Sequence, residues 1–216
     1  MFFQVWRSGE PVTLLGISGA VWAVFAVVWM VLSFGRKPAQ RRESVFGRLF
    51  HMTYMAAAFI LLYSRNPGLD ALRRRFVPDA AWVGLAGLAL TVIGIAFAIW
   101  ARFHIGKQWS PVVEIREDHR LIDTGPYARI RHPIYTGILL AMLGTGIILG
   151  EVRALAAVLL AGFGFWVKGR KEESFLRQEF GPAYRDYERR TGFYLPRLGR
   201  RSAARDVAEA HSSSSV

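Results

Sequence analysis

The chain has 216 residues, 52% of them hydrophobic and 20% charged, with 28 Lys and Arg against 16 Asp and Glu for a net charge of +12. That balance fits a small integral membrane protein with polar loops, and the basic residues flank apolar runs instead of forming a separate domain, which argues against nucleic acid as a partner. Cysteine is absent, which excludes disulfides, thiolate catalysis, iron–sulfur clusters and cysteine-based zinc sites.

Residues 13–34 carry no charge and would extend about 33 Å as a helix, enough to cross the hydrocarbon core. The run is too long for a signal peptide and lacks a basic leader and a small-residue cleavage site. Residues 49–63 form a shorter apolar run with His51 inside it, which spans only if residues 45–48 extend it and Arg48 snorkels to the interface. Residues 80–100 form a third span, and residues 134–150 and 154–167 a fourth and fifth. Only Glu151, Val152 and Arg153 separate the last two, so they are expected to form a tight helical hairpin. The expected fold is all-α and polytopic, with about five transmembrane helices. Residues 1–100 hold three of them, residues 101–198 form a core of loop, hairpin and amphipathic segment, and the Arg-, Ala- and Ser-rich residues 199–216 are expected to be a disordered tail.

With the N-terminus outside, residues 35–48, 101–133 and 168–216 are inside and hold 22 of the 28 Lys and Arg. The positive-inside rule therefore favours an external N-terminus and a cytoplasmic C-terminus, in the plasma (inner) membrane, although Arg73, Arg74 and Arg75 pull the other way. Gly84, Gly87, Gly94, Gly144, Gly146, Gly162 and Gly164 sit inside apolar helices, where small residues allow close helix approach. None follows a strand, so they do not read as a nucleotide-binding loop.

The chemistry concentrates at the ends of the fourth and fifth spans. Pro133 suits the first turn of a helix, which puts Arg131 and His132 at headgroup level beside a helix N-terminus, a place that attracts carboxylates and phosphates. Tyr135 lies one turn in and can point its hydroxyl back to the interface. Glu172 and Glu173 leave the fifth span on a continuing helix, with Lys168 four residues before Glu172 and on its face. Such a pair is either a solvated Lys–Glu face or a site that holds a cation or takes a proton. Phe175, Leu176, Phe180, Tyr184 and Tyr187 continue as an amphipathic segment broken by Gly181-Pro182, able to lie on the membrane and close a site. His104 and His119 lack the spacing of a helical metal pair, His51 is expected to pack among helices, and no metal site is expected. No Ser/His/Asp arrangement supports hydrolysis.

These motifs together resemble the isoprenylcysteine carboxyl methyltransferase family, within a wider group that includes phospholipid N-methyltransferases. The matching residues are GKQWS at 106–110, GPY at 125–127, RHPIYTG at 131–137, EESFL at 172–176, FGPAYRDY at 180–187 and Pro196. The resemblance implies a membrane methyltransferase using S-adenosylmethionine in a cytoplasm-facing pocket, lined by Glu114, His119, Arg120, Leu121, Ile122, Tyr127, His132, Pro133, Ile134, Tyr135 and Glu172. Glu172 would balance the sulfonium or ammonium, and Arg131 or His132 would pair with the cofactor carboxylate. Arg131, Glu172 and Glu173 are then the expected catalytic residues. The family has an Arg four residues before the Glu; this chain has Lys168, with Arg170 nearby, and those two with Trp166 are expected to meet the acceptor. That acceptor is expected to be lipophilic, a prenylcysteine-type carboxylate or a lipid amine, reaching the site from the bilayer past Ile138, Leu139, Phe165 and Trp166. The alternatives are a sterol-reductase-like membrane reductase using NADPH and a non-enzymatic membrane scaffold.

Overall fold

Each apolar run becomes a helix, because a backbone in lipid must satisfy its own N–H and C=O groups. The structure, a computed structural model, describes residues 10–33, 45–63, 71–106 and 121–197. Its helices are α1 (Glu10–Val31), α2 (Val45–Tyr63), α3 (Ala81–Ile105), α4 (Pro133–Leu149) and α5 (Val152–Arg190), with a 3-10 turn at Gly125–Ala128 before α4. The described residues hold isolated bridges but no strand. By length and composition α1, α3 and α5 are each able to cross a membrane, while α2 and α4 carry shorter apolar stretches. The chain is an integral, multi-pass membrane protein, and large apolar side chains such as Val27, Trp82, Ile93 and Leu159 point outward as lipid-facing residues do.

The tightest seam joins α3 to α4, not the two arms of the α4–α5 hairpin. A Cβ at Gly94 would stand 2.5 Å from the Ala141 nitrogen and 2.6 Å from the Gly137 oxygen, and one at Gly87 would stand 2.7 Å from the Gly144 oxygen. Gly137 and Gly144 meet α3 equally closely, so the two backbones touch. The other glycines serve separate partners: Gly84 faces Leu14 on α1, Gly146 faces Ala154 on α5 and Gly164 faces Tyr54 on α2, while Gly162 has room. Deep in the bundle, Ser18 Oγ and Thr145 Oγ1 lie 3.0 Å apart, Trp22 Nε1 donates to Thr145 Oγ1 at 3.0 Å, and Thr91 Oγ1 is 3.4 Å from the same oxygen. These bonds tie α1, α3 and α4 together where no water competes.

At the end far from the candidate site, Gly150 turns the hairpin in the left-handed region (φ 71°). Arg153 pairs with Glu151 and donates to the Leu61 and Leu62 carbonyls at 3.2 and 2.9 Å, capping the C-terminus of α2. Phe76 N donates to the Gly150 oxygen and Val152 N to the Arg74 oxygen, which fastens the segment before α3 onto the hairpin turn. At the other end, α5 runs well past the apolar stretch: the part before Gly181 alone reaches about 43 Å at 1.5 Å per residue, against about 30 Å of hydrocarbon. Gly181 (φ 52°) breaks it as the Gly-Pro pair predicts. Residues 191–197 then fold back as a strap, with Arg131 N donating to the Gly192 oxygen at 2.8 Å and His132 N to the Phe193 oxygen at 3.2 Å.

Candidate active site

Pro133 opens α4 with His132 as its N-cap residue, so Arg131, His132 and Tyr135 are presented within the first turn. On α5, Phe165, Lys168 and Glu172 follow one face at i, i+3 and i+7, with Gly169 and Glu173 beside them. Gly169 is needed there, because a Cβ would stand 2.5 Å from the Phe193 ring. The helix ends and the strap converge on the two glutamates.

The glutamates have different surroundings. Glu172 is 22% exposed; Tyr135 Oη donates to its Oε1 at 2.7 Å and His132 Nδ1 lies 3.5 Å from its Oε2. Glu173 is fully buried. Arg131 Nε donates to its Oε1 at 2.6 Å, His132 Nε2 lies 3.4 Å from that oxygen, and Arg170 and Arg177 each approach Oε2 at 3.3 Å. Burial by itself pushes the Glu173 carboxyl up, but the hydrogen bonds from His132 and Arg131 and their charge outweigh it and hold the group at about 2. The Arg131 Nη1 donates to the Glu188 and Thr191 carbonyls at 3.2 and 2.6 Å, and Arg177 pairs with Glu188 at 2.6 Å. One glutamate is the hub of a closed ion network, and the other remains reachable.

The aromatic rings form a series from this network toward the membrane. His132 stacks on Tyr135 with centroids 5.3 Å apart, and Tyr135 stacks on buried Phe165 at 4.5 Å. Lys168 Nζ lies 5.8 Å from the Tyr135 centroid. Trp166 is 47% exposed on the outer face, stacked with Phe163 and outside this series. Arg170 faces Glu173 rather than Tyr135. Tyr127 is pinned: its hydroxyl donates to the Ala101 oxygen at 3.4 Å and its carbonyl accepts from Tyr187 Oη at 2.8 Å. Ile122 and Ile134 pack with Tyr127 and Ala101, Pro133 is buried at the start of α4 and Leu121 is half-buried. Glu114, His119, Arg120, the motif residues 107–110 and the tail 199–216 lie outside the described residues. Among the described residues no cluster of His, Asp or Glu is arranged to hold a metal.

Sequence reading did not anticipate Arg177, Glu188 and the strap carbonyls as parts of the network. Arg177 stands four residues after Glu173, a spacing visible in the sequence. The strap contacts join residues about sixty positions apart and have no local signal.

The profile of the phospholipid methyltransferase family matches residues 82–183, from α3 through the Gly181-Pro182 break. The solved structure of the eukaryotic intramembrane Ras methyltransferase ICMT, isoprenylcysteine carboxyl methyltransferase, superposes with a TM-score of 0.59 at 25% identity, over 87% of this chain and 67% of that one. The chain resembles the isoprenylcysteine carboxyl methyltransferase family in sequence and in fold. Among similar proteins, the protein-S-isoprenylcysteine O-methyltransferase B of Arabidopsis thaliana is 30% identical over 53% of this chain and 60% of that one. The cobalt-zinc-cadmium resistance protein CzcN of Cupriavidus metallidurans is 34% identical over 56% of this chain and 54% of that one. The chain thus spans about half the length of the curated relatives it matches. The family's profile covers the whole Arg131–Glu173 network except the strap and Glu188.

Proposed function

We propose that the chain is a membrane methyltransferase that uses S-adenosylmethionine and methylates the carboxylate of a lipophilic, S-isoprenylated-cysteine type of acceptor. The observation that carries this reading is Glu172: a reachable carboxylate held by Tyr135 and His132 at the point where two apolar helices end. A carboxylate so placed fits a donor that is cationic at sulfur and at its amino group. S-adenosylmethionine supplies a methyl carbon already activated by its sulfonium, so transfer to an acceptor anion releases a neutral thioether and requires no proton to move.

Glu172 faces the cationic part of the donor, and Tyr135 fixes its orientation through the 2.7 Å hydrogen bond. Arg131 serves this site as a clamp, since its Nε and Nη1 are engaged by Glu173 and two carbonyls. Glu173 serves in the same way. Its burial and its low titration point make it a poor general base, which favours a carboxylate over an amine acceptor. His132, with Pro133 and Ile134, forms the α4 wall, Tyr127 and Ile122 the wall toward α3, and Glu114, His119, Arg120 and Leu121 complete the donor site in this reading. Lys168 supplies the positive charge beside the acceptor, and Arg170 stands ready nearby. Catalysis is then largely alignment of two reactants that arrive from different phases. The Lys and Arg bias supports a site on the cytoplasmic side, and the plasma membrane is the membrane assigned in this reading. Nothing in the likenesses supports the reductase alternative.

The test is transfer of labelled methyl groups from S-adenosylmethionine to S-isoprenylated cysteines of short and long chain, each below its micelle threshold, by the purified protein. Transfer should favour the long chain, since each buried methylene adds about 0.8 kcal/mol before ordering costs. Equal efficiency across chain lengths argues for a water-borne acceptor, and no transfer at all removes the reading.

A further inference from the structure

His51 on α2 stands outside the network described above, and sequence reading gave it no more than a packing role. Its Nδ1 is buried with no hydrogen-bond partner among the described residues, an arrangement that is costly unless something else supplies the partner. Its ring centroid is 5.7 Å from that of Phe165, which stacks on Tyr135. Lys168 Nζ lies 5.8 Å from the Tyr135 ring, which stacks on the same Phe165 that His51 meets. Phe165, Lys168 and Glu172 share one face of α5. His51 therefore meets the membrane-side end of the stripe whose outer end is the Tyr135–Glu172 pair.

We propose that His51 binds the head group of the acceptor: Nδ1–H donates to one oxygen of the acceptor carboxylate, and Lys168 balances its charge. The proposal rests on the methyl-transfer reading above and adds to it a residue from a helix outside the matched residues 82–183. The chemistry selects an anion. Lys168 disfavours an ammonium at this place, and a neutral imidazole can donate one hydrogen bond without bringing a second charge into the membrane. The aromatic faces of Phe165 and Tyr135 exclude water around the head group, which strengthens both contacts. Glu172 and Lys168, four residues apart, then divide the site into a half suited to a cation and a half suited to an anion.

The experiment measures acceptor KM, kcat and S-adenosylmethionine binding by calorimetry for wild type and for His51→Leu, His51→Asn and His51→Gln, with a long-chain S-isoprenylated cysteine as acceptor. Asn places its amide nitrogen near the position of Nδ1, whereas Gln carries it one bond further. Leu and Gln should raise acceptor KM about tenfold while donor affinity stays within about twofold, and Asn should stay within about threefold of wild type. Should Leu fail to fold, the contrast between Asn and Gln carries the test. Unchanged KM in Leu and Gln overturns the assignment and leaves methyl transfer standing. Equal damage in Asn and Gln, or lost donor binding, also overturns it by reducing His51 to a packing residue. A wild-type protein that binds donor but methylates no S-isoprenylated cysteine overturns both.

Discussion

Arg131 and Glu173 meet at 2.6 Å between the residue before α4's cap and the part of α5 that has left the apolar stretch. Glu173 is fully buried and Arg131 largely so, and the same arginine also holds the carbonyls of Glu188 and Thr191. One ion pair thus joins the start of α4, the extended end of α5 and the strap.

Removing the Glu173 carboxylate leaves Arg131 buried with one partner gone and three further donors around an empty place. Glu173→Ala should destabilise the protein by about 3–5 kcal/mol, as breaking a buried pair from one side does. Thermal unfolding in detergent, followed by size-exclusion chromatography, reads the change. A variant that melts with wild type would show that the network contributes nothing to the fold.

The acid limb of stability should carry the mark of the same residue. Glu173 is held at about 2 in the folded chain, below an ordinary glutamate near 4.5. Above the unfolded value both states are ionised and the stabilisation is fully present; as pH falls from 4.5 toward 2, the unfolded chain takes up a proton first and the stabilisation is lost. The difference in melting temperature between wild type and Glu173→Gln should be constant from pH 7 to 5 and should narrow below 4.5. A gap that widens with acid would reverse the assignment.

Glu172 should behave in the opposite way to its neighbour. Glu172→Ala removes a partly exposed carboxylate whose partners are Tyr135 and His132, so the fold should survive. Loss of a charge-assisted contact costs about 1.5–3 kcal/mol, or roughly ten- to hundredfold in S-adenosylmethionine affinity. Calorimetry on the detergent-purified variant decides it, and wild-type affinity would return Glu172 to a solvated surface pair.

The α3–α4 seam should resist any side chain. Gly94→Val places methyl groups on the Ala141 and Gly137 backbone, and overpacking of this kind costs about 1–3 kcal/mol or more. Gly162→Ala, whose nearest neighbour is a Leu139 methyl at 3.8 Å, should be tolerated. Extraction yield and melting temperature of the two variants should separate clearly.

The sequence by itself determined the helices and where the ionisable motifs fall along them. An uncharged run of sufficient length has one stable form in lipid, so α1, α3 and the α4–α5 pair were legible from charge and length alone. The extension of α2 back to Val45 followed from the same length requirement. Pro133 and Gly181-Pro182 marked a helix start and a break because proline acts locally. What only the tertiary structure decided was how neighbours divide labour. Glu172 and Glu173 are adjacent letters, yet a rotation of one residue about the helix turns one toward Tyr135 and the other into Arg131. Which glycines form the tight seam depended on which helices meet, and the spacing suited several partners. The strap closes over Arg131 and His132 through backbone carbonyls, groups that every residue carries and that leave no trace in a sequence.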